Sequence, residues 1–261
     1  MRVFTFFWIL FSFVGISSPA QDFSRYEKHT FIAGKDTLLY RLLLPEGYKP
    51  GKKYPLVVFL HGSGERGNDN EAQLKHGGSL FMQDSVRKKY PAIVVFPQCP
   101  ANDQWTDIKG RQDSVTGRVV RELGGVSKRP AQLTIGLIRK MIAEKKVDNR
   151  RIYLGGLSLG GFGTFVLAAE HPKLFAAAFP ICGGGDVKLV EKYNPQTAWW
   201  LFHGAKDEVV DPDYSRRFYK ELQQKKLNVR YTEYPDDNHD SWTHTFQERE
   251  LLPWMFNKKL K

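Results

Sequence analysis

RIYLGGLSLGGFGTF, residues 151–165, passes from an apolar run with strand character into a helix-forming run within a few glycines. At the junction lies Gly156-Leu157-Ser158-Leu159-Gly160, a G-x-S-x-G pentapeptide. Between a strand (151–154) and a helix (160–170), this pattern predicts a sharp elbow with a serine at its apex. Glycines two residues to either side leave room for the crossing chain. The turn lifts the Ser158 hydroxyl above a sheet edge, at the positive end of a helix. A packing turn whose serine merely caps the helix would use the same residues, so the flanking chain has to supply the partners of a nucleophile.

A serine needs a base, and the base needs a carboxylate to orient it. Downstream, the apolar run 198–202 ends in His203-Gly204-Ala205-Lys206-Asp207-Glu208, and the run 229–234 ends in Pro235-Asp236-Asp237-Asn238-His239-Asp240. Loops that follow parallel strands gather at one edge of the sheet, so Asp207 and His239 are expected beside Ser158. Glu208 and Asp211 are rivals for the acid, and His244 is the rival for the base. The three stand in the chain order serine, acid, histidine, after three separate strands.

Upstream, LVVFLHGSGERG (56–67) ends in a match to G-x-G-x-x-G, which elsewhere cradles a pyrophosphate. That reading needs a helix opening at Gly67 and an acid closing the next strand, and the chain continues instead as Asn68-Asp69-Asn70-Glu71. The glycines are better read as letting the main chain turn toward Ser158. Gly62 or Ser63 would then present an N–H that joins the N–H of Leu159 in an oxyanion hole.

The remaining runs alternate between the two periods. Residues 30–33 and 38–44 form an opening antiparallel pair, and 92–96 and 176–180 are short buried strands. Helices are expected over 131–144, 160–170, 213–225 and 242–256. Such alternation means one mostly parallel sheet covered on both faces. The longest stretch without periodicity is 99–129, which contains Trp105. With Trp242, Trp105 is a candidate for the rim of a substrate cleft.

Arg2, an apolar run over 3–16 and small residues at Ser18 and Ala20 have the order of a secretory leader, shorter than the ~20 residues a bilayer needs. Cleavage after Ala20, a single domain over 21–261, a secreted or periplasmic location and no stable membrane insertion are the expectations. The formal charge of +11 is spread along the chain without a nucleic-acid motif, so no nucleic-acid partner is expected. Only Cys99 and Cys182 are present, no His/Cys set has zinc spacing, and neither a metal nor a cofactor is called for. Both cysteines are expected to be free, since the strands they follow lie three steps apart.

LHGSGERG (60–67), FPQCP (96–100) with Trp105, RIYLGGLSLGGFGT (151–164), PICGGGD (180–186), FHGAKDEVV (202–210) and YPDDNHDSW (234–242) together cover nearly the whole chain. On these motifs the chain resembles the α/β-hydrolase superfamily. Within it, the chain is similar to small secreted esterases allied to feruloyl and acetylxylan esterases, dienelactone-hydrolase relatives and the catalytic domain of prolyl oligopeptidases. The resemblance implies a mostly parallel eight-stranded sheet with helices on both faces. It implies Ser158 as nucleophile, His239 as general base then acid, and Asp207 as the group orienting His239. Dienelactone hydrolase uses a cysteine where this chain has Ser158. Too few residues precede 56–60 for the propeller of prolyl oligopeptidases, and too few separate Pro180 from Ala198 for a helical cap. An uncapped cleft suits a small or polysaccharide-linked ester, acetyl or feruloyl. A peptidase with the same triad, or a binding protein without turnover, would share these motifs.

Overall fold

Eight strands form a single sheet, and four of the inner ones are largely apolar and buried along their whole length because helices cover both faces. The computed structural model describes residues 22–112, 119–144 and 146–261; the leader and its cleavage site lie outside them. The strands are β1 (Glu27–Ala33), β2 (Asp36–Leu43), β3 (Tyr54–Leu60), β4 (Ile93–Pro97), β7 (Val147–Leu157), β8 (Ala177–Ile181), β9 (Ala198–Gly204) and β10 (Val229–Tyr234). Their spatial order is β1-β2-β4-β3-β7-β8-β9-β10, with β1, β2 and β4 antiparallel neighbours and every other pair parallel. Between β3 and β7 the winding reverses direction, which opens a crevice at the carboxyl ends of those two strands.

Alternation along β3 shows how the core divides. Leu56, Val58 and Leu60 join one buried cluster with residues of α3 (Arg129–Ala143), α4 (Leu159–Glu170) and α5 (Asp213–Gln224). Val57 and Phe59 join a second, with residues of α1 (Gly78–Met82) and α7 (Leu251–Phe256). Each strand residue points to the face opposite its neighbour's, so a strand covered on both faces is apolar throughout, and every residue of β3 is buried. Helix α5 turns Ser215, Phe218 and Leu222 inward and leaves most of its length to solvent.

Three expectations change. Residues 99–129 are not irregular: they include β5 (Thr106–Gln112) and β6 (Val119–Ser127), an antiparallel pair set apart from the main sheet and packed on α4. Their sequences, TDIKGRQ and VVRELGGVS, alternate too few apolar residues for the pattern to reveal them. The helix expected over 242–256 is two, α6 (Trp242–Thr245) and α7, because Pro253 has no N–H to continue a helix and is placed in the first turn of α7. Strand β7 runs three residues beyond 154, with Gly155 and Gly156 paired to both β3 and β8. A Cβ on Gly155 would lie 2.1 Å from the Phe179 ring, so that glycine serves packing rather than a turn. Between β8 and β9 there is one 3₁₀ turn, Val187–Lys192, and no cap. No helix among the described residues is long and apolar enough to cross a membrane.

Cys99 and Cys182 are free, fully buried and in different core clusters. Burial pushes the Cys99 thiol up to about 12 and the Cys182 thiol higher still. A disulfide reagent at pH 8 is therefore expected to titrate no thiol rapidly in the native protein and two after denaturation without reductant.

Candidate active site

Backbone geometry at the elbow is set by close approach. Ser158 has φ 51° and ψ −117°, a region costing a non-glycine residue on the order of 1–3 kcal/mol. The surroundings hold it there: its N–H donates to Ile181 O at 2.9 Å, and its carbonyl accepts from Phe162 N at 3.1 Å. A Cβ on Gly160 would come within 2.0 Å of Leu60 O, and one on Gly156 within 2.3 Å of Gly160 O. Both glycines of the pentapeptide are thus required by contact with neighbouring backbone, and α4 starts directly against the end of β3.

The three residues singled out in the loops come together. Ser158 Oγ lies 2.9 Å from His239 Nε2, and His239 Nδ1 lies 2.8 Å from Asp207 Oδ2. Asp207 Oδ1 accepts from the amides of Val209 (2.8 Å) and Val210 (2.9 Å). A carboxylate accepts only, so His239 carries its proton on Nδ1 and presents a bare Nε2 to the serine hydroxyl. Burial alone would raise the Asp207 carboxyl. Hydrogen bonds from His203, His239 and the Val210 amide outweigh it and hold the group well below the usual carboxylate range. The rivals are elsewhere. Glu208 and Asp211 are exposed, and His244 Nδ1 is bound to Asp237 at 2.7 Å.

Gly62 and Ser63 stand where β3 ends, opening a 3₁₀ turn over Ser63–Glu65, and no helix begins at Gly67. A Cβ on Gly62 would lie 3.6 Å from Ser158 Cβ, which places this loop against the elbow. Leu159, first residue of α4, has an amide with no intrahelical partner. The loop is braced from below. Cys99 N donates to His61 Nε2 at 2.9 Å, and His61 Nδ1 donates to Gly62 O at 2.6 Å. Gln98 Nε2 donates to Asp69 and to Glu65 O, and Gly67 N donates to Cys99 O at 3.0 Å.

The two tryptophans part company. Trp105 has no exposed surface and cannot rim a cleft; its indole N–H donates to His61 O at 2.9 Å, so it props the loop instead. Trp242 is half-buried, edge-on to the His239 ring with centroids 5.4 Å apart. Beyond it stand His76, with ring centroids 5.0 Å from Trp242, and Glu65, 3.4 Å from His76 Nε2. Burial would raise Glu65, but the His76 hydrogen bond and charge outweigh it and lower its pKa. Sequence reading missed Glu65 and His76, because nothing in their spacing pairs them. It also missed His203, whose Nε2 lies 3.2 Å from Asp207 Oδ2.

Among the described residues, Cys182, Asp207 and His239 are the group whose ligand atoms approach closely enough, within 4.8 Å, to hold a metal ion. An ion there would have to displace the Nδ1–Oδ2 hydrogen bond and ionise a thiol that burial keeps protonated.

A family model described as Phospholipase/Carboxylesterase matches residues 48–250. A probable acetylxylan esterase A of Neosartorya fischeri is 28% identical over 210 residues, 76% of this chain and 52% of its own length. A poly(3-hydroxyalkanoate) depolymerase C of Paucimonas lemoignei is 46% identical over 130 residues, 50% of this chain and 28% of its own. The chain thus spans about half the length, or less, of these curated relatives. A solved thermostable esterase superposes with a TM-score of 0.81 at 38% identity, over 91% of this chain and 64% of that one. A ferulic acid esterase structure reaches 0.67 at 17% identity, over 88% and 97%, which speaks for the fold alone.

Two expectations follow from the geometry. Gly160→Ala should lower stability by about 3 kcal/mol or more in urea unfolding, because the new methyl meets backbone. Gly64→Ala, where a Cβ meets nothing within 4 Å, should stay within about 0.5 kcal/mol. Burial also pushes His61 down to about 4. Above pH ~6.5 the imidazole is neutral in both states. As pH falls toward 4 the unfolded chain binds a proton that the folded chain refuses, so on the order of 3 kcal/mol is lost across that window. The urea midpoint should fall accordingly, and His61→Asn should remove this part of the slope.

Proposed function

Because this chain belongs to the phospholipase/carboxylesterase family, we propose that it is a serine carboxylic ester hydrolase acting through Ser158, His239 and Asp207. The unbroken hydrogen-bond line from Ser158 Oγ through His239 to Asp207 carries the reading. Ser158 Oγ attacks the ester carbonyl carbon while His239 Nε2 takes the hydroxyl proton. The oxyanion is held by the Leu159 amide together with Gly62 or Ser63. Collapse expels the alcohol, which leaves with the proton from His239. Water then repeats the cycle on the acyl-enzyme: His239 takes a proton from it, and the acid departs as Ser158 Oγ regains one. Asp207 stays ionised throughout and balances the imidazolium.

For the substrate we favour acetyl or feruloyl esters carried on a polysaccharide. No helical cap stands between β8 and β9, and relatives bear the names acetylxylan esterase and feruloyl esterase. Residues 1–20 as a leader, followed by one catalytic unit over 21–261, suit such an extracellular polymer. The match to a polyester depolymerase makes 3-hydroxybutyrate oligomers a second ester to test.

Ser158→Ala should lower kcat for p-nitrophenyl acetate by at least about 10³-fold with the fold intact by circular dichroism. Asp207→Asn should cost orders of magnitude and Glu208→Gln little. Retention of more than a few per cent of kcat in the Ser158 variant refutes the mechanism. A panel of acetylated xylan, methyl ferulate, 3-hydroxybutyrate oligomers and dipeptide amides then ranks the substrates. Amides turned over faster than every ester would make the protein a peptidase.

A further inference from the structure

His203 lies in β9 with no exposed surface, four residues before the acid, and the mechanism above does not use it. Its Nε2 faces two oxygens that can only accept, Val210 O at 3.0 Å and Asp207 Oδ2 at 3.2 Å. A bare nitrogen there would meet two lone pairs at contact distance, so Nε2 carries the hydrogen. Nδ1 is then the acceptor in the neutral ring, and its partner is the Ser215 hydroxyl at 2.7 Å. Ser215 is itself buried, on the inward face of α5, and its Oγ has Gly183 O at 3.5 Å as its other neighbour. We propose that His203 is a positioning residue: its Nε2–H holds the same Asp207 oxygen that serves His239, and Ser215 fixes the tautomer that makes this possible.

The count of donors gives this contact its effect. Asp207 Oδ1 accepts two amides and Oδ2 accepts the His239 N–H. The His203 Nε2–H, shared with Val210 O, lies 3.2 Å from that same Oδ2, so each of the roughly four lone-pair directions of the carboxylate faces a donor. The plane of the carboxyl is then fixed, and with it the direction in which His239 Nε2 points. His203 also shares the negative charge. Without that donor the charge concentrates on the His239 side, which favours the imidazolium, and the Asp207 carboxyl is more easily protonated. Both effects move the onset of His239 basicity to higher pH. Other ionisable neighbours are few. Cys182 lies behind Asp207 as a protonated thiol. Glu233 is the β10 partner of His203 in the sheet register, and its charge is engaged by Arg216 and Tyr231.

This role rests on the serine-hydrolase reading, so the test uses a probe that needs no substrate choice. The pH dependence of Ser158 phosphonylation by an organophosphonate would be followed by mass spectrometry in the wild type, His203→Leu, His203→Gln and Ser215→Ala. His203→Leu, of similar bulk but without a donor, should label about tenfold or more slowly at pH 7. Its acid limb should rise by about half a pH unit or more. The amide of His203→Gln reaches the Nε2 position and should recover most of both changes. Ser215→Ala should shift the limb in the same direction by less. In the ¹⁵N-labelled wild type, His203 should be the Nε2–H tautomer at pH 7, a readout that stands even if His203→Leu does not fold. An Nδ1–H tautomer overturns the proposal, as do folded Leu and Gln variants that lose rate equally with an unmoved limb. A wild type that the phosphonate does not label refutes the hydrolase reading, and the role of His203 falls with it. A labelled wild type with unmoved limbs refutes the role alone.

Discussion

The contact between the first turn of α4 and the carboxyl end of β3 is the constraint on which the reactive edge depends. With Leu60 O only 2.0 Å from where a Cβ of Gly160 would sit, helix and strand are as close as two backbones allow. That closeness permits no side chain at 156 or 160, and it forces Ser158 into a conformation that a serine avoids. The strain is offset by the amide bond to Ile181 O and by the burial of α4, whose residues from Leu159 to Ala169 are all inside. Because β3 ends there too, the loop carrying Gly62 and Ser63 begins beside the hydroxyl.

A loop of glycines has little stiffness of its own, so its position is decided from beneath. His61, Gln98, Cys99 and Trp105 form a buried bracket: the side chains of His61, Gln98 and Trp105 donate to main-chain oxygens of the loop, Gln98 also to Asp69, and the Cys99 amide holds the His61 ring. The bracket works only with a neutral imidazole at 61, accepting on one nitrogen and donating on the other, and burial keeps it neutral. Trp105 is conspicuous in the sequence and belongs to this scaffold rather than to the cleft. Trp242, His76 and the buried Glu65 instead form a contacting row that begins at the His239 ring.

Charge at the site is organised around one carboxylate. Asp207 is buried, yet it is surrounded by donors to the point that its ionised form is the favoured one. The electrostatic requirement of the proposed reaction, a fixed negative charge behind an imidazole that would become cationic, is therefore met in the protein alone. The donors come from three places: the amides of its own loop, the loop after β10, and β9 through His203, whose tautomer depends on a hydroxyl in α5. A change in α5 thus has a physical route to the triad.

Much of the architecture was legible in the chain because it rests on local order. The apolar runs gave the strands of the main sheet, the pentapeptide at 156–160 gave the elbow, and the ends of the last two strands gave Asp207 and His239. Loops after parallel strands share one edge, and that rule needs no tertiary information. What local order cannot carry is contact between residues distant in sequence that show no periodicity. The β5–β6 pair is formed by backbone hydrogen bonds between polar segments. Glu65 meets His76, and Asp207 meets His203 on the same oxygen as His239, only through the fold. Trp105 was misplaced for the same reason: its sequence neighbours suggest a loop, but its indole reaches back 44 residues to His61 O. Sequence by itself determined which residues could react. Tertiary structure decided which of them are held, from which side and in which tautomer, because hydrogen-bond direction and burial are properties of the packed chain.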